Sequence, residues 1–306
     1  MGLKRTLGRH LAVPARAYVR HAPTSAGKPL LVRRLLEPAL RRAPRTFVAQ
    51  TVDGFTMAGS TQDMIQRYLY VFGIWEPDLT AWMRSRLSAG RTLIDVGANI
   101  GYFSLLGSRL VGPSGRVVAI EALPATYRQL EDNLARNAAT NVRALNVAAT
   151  AAPGMVTLYG GEAHNSGTTS TVAADGLDAL TDVEGLPLAD LLHPEEIAAA
   201  KVVKIDVEGA ELDVLQGMVR VLDDMPADVE LVVEVSPEDQ VAAGRSPEEP
   251  LELMADHGFH PYRIANDYSP VSYLHRSPAA APMRFTEPLT ERVDLVFSRA
   301  DADTLP

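Results

Sequence analysis

Leu93-Ile94-Asp95-Val96-Gly97-Ala98-Asn99-Ile100-Gly101 is the stretch that decides the fold of this 306-residue chain. An apolar run ends in an acid, a glycine-rich turn follows, and an apolar-periodic segment with Tyr102, Phe103, Leu105 and Leu106 comes next. That order is strand, tight turn, helix, the unit that presents nucleotide-like ligands at the carboxyl edge of a parallel sheet. The glycines are spaced G-x-x-x-G. A dinucleotide fingerprint needs G-x-G-x-x-G, whose middle glycine lets the backbone approach a pyrophosphate. Its absence disfavours a nicotinamide oxidoreductase. Working outward, Arg116-Val117-Val118-Ala119-Ile120-Glu121 reads as a short buried strand ending in a carboxylate, 20 residues beyond Gly101. Such an acid can accept both hydroxyls of a ribose; the plainer reading is a solvated strand-end acid.

Farther on stands Lys201-Val202-Val203-Lys204-Ile205-Asp206-Val207-Glu208-Gly209-Ala210-Glu211. Together with Ile94–Ser104 (IDVGANIGYFS) and Glu121–Asn137 (EALPATYRQLEDNLARN), it resembles the FkbM family of S-adenosylmethionine (SAM)-dependent methyltransferases. The family's pattern is a VDVGANIG-like loop, an acid followed by P-x-P, an N-L-x-x-N helix end and K-I-D-V-E-G-x-E. Asn133-Leu134 and Asn137 match the helix end, whereas Ala122-Leu123-Pro124 departs from the proline that usually follows the acid directly. The resemblance runs from about Ile74 to Val235 and on through Val293–Phe297. It implies a Rossmann-like class I methyltransferase fold of the α/β class, with a mostly parallel seven-stranded sheet and an antiparallel last strand. It also implies SAM as cofactor. Asp95, Gly97, Asn99 and Gly101 would surround the methionine part, and Glu121 with Ala122 would take the ribose. Trp75-Glu76-Pro77 matches an aromatic-Glu-Pro commonly found upstream of the loop, which places Glu76 at the cofactor's amino acid end. A helix N-terminal acid beside Pro77 is the alternative for Glu76.

The 46% hydrophobic and 22% charged residues are the composition expected of a soluble globular protein. Cysteine is absent, which excludes disulfides, zinc-thiolate sites and cysteine nucleophiles and suits a reducing, cytoplasmic setting. No apolar run approaches the roughly 18 residues of a membrane span, and no signal-peptide core stands near the start. Charge is uneven. Residues 1–45 hold eleven Lys/Arg and one acid, Glu37, leaving 18 basic and 37 acidic residues in 46–306, so a +10 arm precedes a −19 body. Such an arm is expected to dock on its own acidic body, another subunit, an acidic partner or an anionic surface. Its arginine-rich, acid-poor composition is also that of a transit peptide. Nucleic acid is not expected as a partner: aromatics are not interleaved with the charges, and the body repels phosphate.

Three regions are expected: a basic arm over 1–45, a hairpin and helical cap over 46–90, and the methyltransferase domain over 91–306. In the arm, a helix opens at Pro29 with the stripe Leu31, Leu35 and Leu36 and ends near Pro38. Thr46–Gly59 reads as a hairpin on a two-residue Asp53-Gly54 turn. Helices follow over Gln62–Val71 and Pro77–Leu87. Core strands are expected at Thr92–Val96, Val117–Glu121, Val142–Ala148, Val202–Asp206, Glu230–Val235, Phe259–Ile264 and Val293–Phe297. Helices are expected at Tyr102–Leu110, Pro124–Asn137, Ala210–Leu222 and Pro247–His257. Two irregular stretches, Tyr159–Gly185 and Asn266–Arg284, read as long loops placed to cover a ligand cleft.

Four strand ends carry acids: Asp95, Glu121, Asp206 and Glu234. Asp206 ends the strand expected beside the SAM loop and should face the transferred methyl. Lys204 alternates with it and shares its direction, to pair with an acid or snorkel out. An alcohol acceptor needs a general base, for which Asp206, Glu234 and the loop residue His164 are candidates. Glu208 and Glu211 flank a helix start, where acids are stabilised by backbone N–H groups. Asp206, Glu208 and Glu234 are also the oxygen ligands available to Mg²⁺, although no tight metal-ligand motif is present. The expected activity is O-methylation of a small-molecule hydroxyl on a sugar or secondary metabolite. The alternatives are N- or carboxyl-methylation, and a SAM-binding regulator or scaffold without turnover.

Overall fold

Val32, Leu36 and Leu40 recur every fourth residue and are buried, and the helix they build does not stop at Pro38. In the computed structural model, which describes residues 13–160, 169–171, 177–274 and 280–305, α1 (residues 13–21) is followed by α2 (Lys28–Leu31), a wide turn over Val32–Leu36, and α3 (Glu37–Arg42). In the wide turn the Glu37 N–H reaches back to the Val32 carbonyl. Pro38 therefore falls in the first turn of α3, where its missing donor is harmless. β1 (Thr46–Gln50) and β2 (Thr56–Ser60) form the expected hairpin. Its loop has three residues rather than two: Thr51 N–H donates to Phe55 O (2.8 Å) and Gly54 N–H to Thr51 O (3.2 Å). Then come α4 (Met64–Phe72), capped by the Asp63 carboxylate on Gln66 N–H, and α5 (Pro77–Arg86).

The chain divides into two compact units, the first comprising Met1–Ala81 with Asn266–Ala279. Within it the described arm residues bond to protein: Arg16 donates to Tyr70 O, Arg20 to Gln50 O and Lys28 to Ala22 O. Glu37 pairs with the buried Arg67 at 3.1 Å. Tyr273, in a short 3₁₀ turn over Ser272–Leu274, stacks among Tyr68, Phe72 and Trp75. The Asn266–Arg284 stretch is thus not featureless.

The second unit, Trp82–Ala265 with Ala280–Pro306, holds the main sheet. Its strands are β3 (Thr92–Val96), β4 (Arg116–Ile120), β5 (Val142–Leu145), β9 (Ala200–Ile205), β10 (Glu230–Val235), β11 (His260–Ile264), β12 (Met283–Arg284) and β13 (Val293–Ser298), in the order β12-β11-β13-β10-β9-β3-β4-β5. Strands β5, β4, β3, β9 and β10 are mutually parallel, and β13 runs antiparallel between β10 and β11. The sheet therefore has eight strands, one more than expected, because the two-residue β12 pairs on the outer edge of β11. Helices α6 (Tyr102–Val111), α7 (Pro124–Arg136), α10 (Glu211–Met218) and α12 (Glu249–Asp256) pack along it, and the short α8 (Leu188–Leu191) and α9 (Pro194–Ala198) lead into β9. One sheet face buries Ile94, Val96, Val118, Ile120, Val203, Ile205, Leu231 and Val233 in a continuous apolar cluster with Val214, Leu215 and Met218 of α10. Alternate residues point to that face, as strand geometry requires.

The single strand read over Val142–Ala148 is two: β5 leaves the main sheet, and β6 (Ala148–Thr150) joins a second sheet of order β6-β8-β7. Between them Asn146 donates to the carbonyls of Glu121 and Ala122. The polar Tyr159–Gly185 stretch is not all loop, because β7 (Gly154–Gly160) and β8 (Asp178–Pro187) form an antiparallel ribbon. Its outward positions tolerate the polar residues that made the sequence look irregular, while Leu158 and Val183 are buried. Residues 161–168 and 172–176 of this stretch lie outside the described part. The segment read as one helix over Ala210–Leu222 is α10 followed by a 3₁₀ turn at Val219–Val221. Among the described residues no helix is long and apolar enough to cross a membrane.

Candidate active site

The ends of β3, β4, β9 and β10 lie at one edge of the sheet, and the first three are tied together by backbone hydrogen bonds beyond the strands. Gly97 and Ala98 N–H both donate to Ile120 O, and Asp206 N–H donates to Val96 O at 3.1 Å. Gly97 has φ 76°, and a Cβ built there would lie 1.8 Å from the Asp206 carbonyl oxygen. The β3 and β9 loops therefore touch backbone to backbone, which only glycine permits. Gly101 (φ 91°) precedes α6 and faces the Leu130 side chain of α7. The buried Asn133 of α7 donates to Ile100 O at 3.0 Å, and Asn137 donates to Asn133 O at 2.7 Å. Asn133 of the N-L-x-x-N segment thus braces the glycine loop, while Asn137 closes the end of its own helix.

Asp95 is completely buried. Its Oδ2 accepts from Ser104 Oγ at 2.6 Å, while Oδ1 makes no hydrogen bond and lies 4.0 Å from Lys204 Nζ. Burial pushes its carboxyl above the ordinary range, against the pull of Lys204 and Ser104. Asn99 takes a left-handed conformation (φ 49°), and its own Oδ1 accepts from Ile100 N–H. This turn aims Asn99 N–H at Glu121 Oε2 (2.9 Å), while Leu123 N–H reaches Glu121 Oε1 (2.9 Å). Each oxygen of Glu121 thus accepts one backbone donor and retains capacity for another. Burial pushes Glu121 up to about 7, with both backbone bonds opposing the rise. Ala122 adjoins it, its carbonyl taken by Asn146.

Beyond β9, Asp206, Glu208 and Glu234 bring carboxylate oxygens within 4.8 Å of one another. Lys204 Nζ bonds Asp206 Oδ2 at 2.9 Å, from the same strand face, and lies 5.3 Å from the Phe103 ring centre. Glu208 is left-handed (φ 49°) and its carbonyl accepts from Ser170 Oγ; such a conformation costs on the order of 1–3 kcal/mol. Burial, and next Asp206, push Glu208 up to about 7, and Arg292 opposes. Glu234 is raised too, by burial and then by Asp206 and Asp294. Carboxyls this close share protons rather than ionising independently. Glu211 is a brace for the turn: Oε1 accepts from Gly209 N–H and Oε2 from Gln240 Nε2.

Arg292 was not singled out from sequence. It reaches Glu234 Oε2 (3.0 Å), Glu208 Oε2 (3.3 Å) and Asp239 Oδ2 (3.3 Å). Burial alone would lower its affinity for protons, but these carboxylates outweigh that and raise it. Asn146 and Ser104 were also missed, each a lone polar residue beside an apolar strand or helix segment. Their only sequence signal is that isolation. Glu76 belongs to the first unit, where it is buried, left-handed (φ 40°) and accepts from Tyr268 Oη at 3.0 Å. His164 lies outside the described residues.

The family model for the methyltransferase FkbM domain matches residues 95–261. Among curated proteins, the chain is similar to methyltransferase sdnD of Sordaria araneosa: 29% identical over 163 residues, covering 44% of this chain and 62% of sdnD. It is also similar to hexuronic acid methyltransferase AglP of Haloferax volcanii: 29% identical over 147 residues, covering 48% of this chain and 58% of AglP. The matches span 62% and 58% of these relatives' lengths. Solved structures include precorrin-6y C5,15-methyltransferase from Geobacter metallireducens (17% identity, TM-score 0.39, 72% of this chain and 85% of that one). Aeropyrum pernix fibrillarin with bound SAM is another (11%, TM-score 0.39, 72% of each chain). At these scores the fold rests on the strand order itself.

Proposed function

This chain belongs to the FkbM methyltransferase family, and we propose that it moves a methyl group from SAM to a hydroxyl oxygen of a small molecule, a sugar or a secondary metabolite. The observation that carries the reading is the backbone contact of Gly97 with Asp206. It supports reading the glycine loop and the acid-rich turn as two walls of a single site. The residues fit the cofactor. Glu121 has one open acceptor position on each oxygen, as a vicinal ribose diol requires. The unbonded Asp95 Oδ1 beneath the loop suits an ammonium group. When bound, SAM supplies an electrophilic methyl on a sulfonium. What remains for this chain is alignment and proton removal. Lys204 fixes the Asp206 carboxylate, which takes the acceptor's hydroxyl proton, with Glu208 and Glu234 beside it to share the charge. The name of one curated relative, the hexuronic acid methyltransferase AglP, supports a small-molecule acceptor.

The test is incubation with methyl-labelled SAM and a panel of neutral sugars, uronic acids and hydroxylated metabolites, with products read by mass spectrometry. Label on a hydroxyl oxygen is expected. Asp206→Asn should lower turnover by about 10²–10⁴, the span of general-base loss, with SAM affinity little changed. Label on nitrogen or carboxylate oxygen throughout the panel would replace the hydroxyl reading. Tight SAM binding with no transfer to any acceptor would point to a regulator instead.

A further inference from the structure

Asp206, Glu208 and Glu234 come from two strand ends, and their oxygens gather within 4.8 Å. An all-oxygen group of this kind is what hard divalent cations use. Here, however, each of the three carboxylates already has a cation of the protein's own. Lys204 Nζ stands 2.9 Å from Asp206. The Arg292 guanidinium stands 3.0 Å from Glu234 and 3.3 Å from Glu208, and its third bond, at 3.3 Å, ties in Asp239 of α11 (Pro237–Ala242). Its placement follows from topology. Arg292 immediately precedes β13, which pairs Val293 with Val235 and Asp294 with Glu234. Because β13 is antiparallel, its first residues lie at the carboxyl edge of the parallel strands, where ligands bind. A guanidinium fork spreads its charge over several carboxylates at hydrogen-bond distance. Mg²⁺ would need those same oxygens at about 2.0–2.1 Å, so the two cations compete for one position.

We propose that Arg292 is the built-in cation of this site: it occupies the place of a divalent ion, positions Glu208 and Glu234 around the acceptor, and frees methyl transfer from any added metal. The positioning role rests on the assignment of this acid cluster to the acceptor side, as set out above; the exclusion of metal does not.

The experiment is a Mn²⁺ titration of the full chain, followed by electron paramagnetic resonance. Wild type and Arg292→Lys, which keeps the charge, should show no specific Mn²⁺ binding up to millimolar concentration. Arg292→Met should gain a site with a Kd of about 10⁻⁴–10⁻³ M, the range of weak all-oxygen sites. Adding Glu234→Gln to Arg292→Met should abolish that gain. In turnover assays, EDTA should leave wild type unaffected, whereas Arg292→Met should be slow and partly restored by Mg²⁺ or Mn²⁺. Specific Mn²⁺ binding by wild type that Glu234→Gln removes would overturn the proposal, and that arm decides it even if Arg292→Met does not fold. A folded Arg292→Met with no gain in Mn²⁺ affinity would overturn it as well. Failure to transfer methyl to any acceptor, with the Mn²⁺ pattern as expected, would count against the proposed activity and the positioning role that rests on it, and would leave the exclusion of metal by Arg292 standing.

Discussion

At the scale of single residues, Glu121 and Gly97 show how much chemistry rests on one atom. Burial disfavours the Glu121 anion and pushes its carboxyl up to about 7, against two backbone hydrogen bonds. The raised folded pKa means that its contribution to apo stability is present at acid pH and is lost as pH rises through about 7. Ribose hydroxyls donate hydrogen bonds and so prefer the anion. SAM affinity should therefore rise with pH between 6 and 8, by up to about tenfold per unit below the pKa, and calorimetry at each pH checks it. Glu121→Gln should flatten the profile and weaken binding at pH 8 by about tenfold or more, the loss expected for a charged hydrogen-bond partner. A slope that survives in Glu121→Gln would assign the titration to another group. Gly97 and Gly101 offer an internal comparison. The Cβ of Gly97→Ala meets a backbone carbonyl at 1.8 Å, whereas that of Gly101→Ala meets the end of a leucine side chain at 2.6 Å. Both positions have positive φ, but only Leu130 can rotate away. Gly97→Ala should abolish SAM binding and cost more than about 3 kcal/mol in urea unfolding, at the severe end for single substitutions. Gly101→Ala should lose clearly less on both measures. Equal losses would mean that the contact of Gly97 with Asp206 is not what constrains the loop.

Among elements, α7 does more than cover the sheet. Its last turns supply Asn133, buried beneath the glycine loop with Nδ2 on the Ile100 carbonyl. Asn133→Ala leaves that carbonyl without its donor and should lower stability by about 1–3 kcal/mol. Calorimetric melting measures this directly, and SAM affinity should fall with it, because the loop loses its brace. Undiminished stability would show that water replaces the amide. β13 plays a comparable part at the other wall. An antiparallel strand between β10 and β11 delivers Arg292 and Asp294 to an edge that otherwise receives only the ends of parallel strands. The break between β5 and β6 likewise frees Asn146 to hold the backbone at Glu121 and Ala122. Each departure from regular alternation thus positions a site residue.

For the whole molecule, the two units bear different parts of the account. All the loop and strand-end residues from Asp95 to Glu234 lie in the second, whereas the basic arm bonds within the first. Removing residues 1–45 strips Glu37 from the buried Arg67 and takes away the buried Val32, Leu36 and Leu40, so it should destabilise the first unit by more than the roughly 3–5 kcal/mol of stranding a buried charge alone. SAM affinity should change by no more than about threefold, under 1 kcal/mol. Loss of SAM binding by a truncate that still folds would bring the first unit, Glu76 included, into the cofactor site. The sequence alone determined what is local. The strand-turn-helix around Gly97, the acids at strand ends and the sheet's alternating order follow from periodicity and from glycine's access to positive φ, both properties of neighbouring residues. Only tertiary structure decided what those acids meet. Arg292 and Glu234 are 58 positions apart, Arg292 and Glu208 farther still, and no local pattern marks such a pairing. Contacts of that separation are set by strand order, and here the antiparallel insertion of β13 places a guanidinium among carboxylates that the sequence offered chiefly as candidate bases and only secondarily as oxygen ligands.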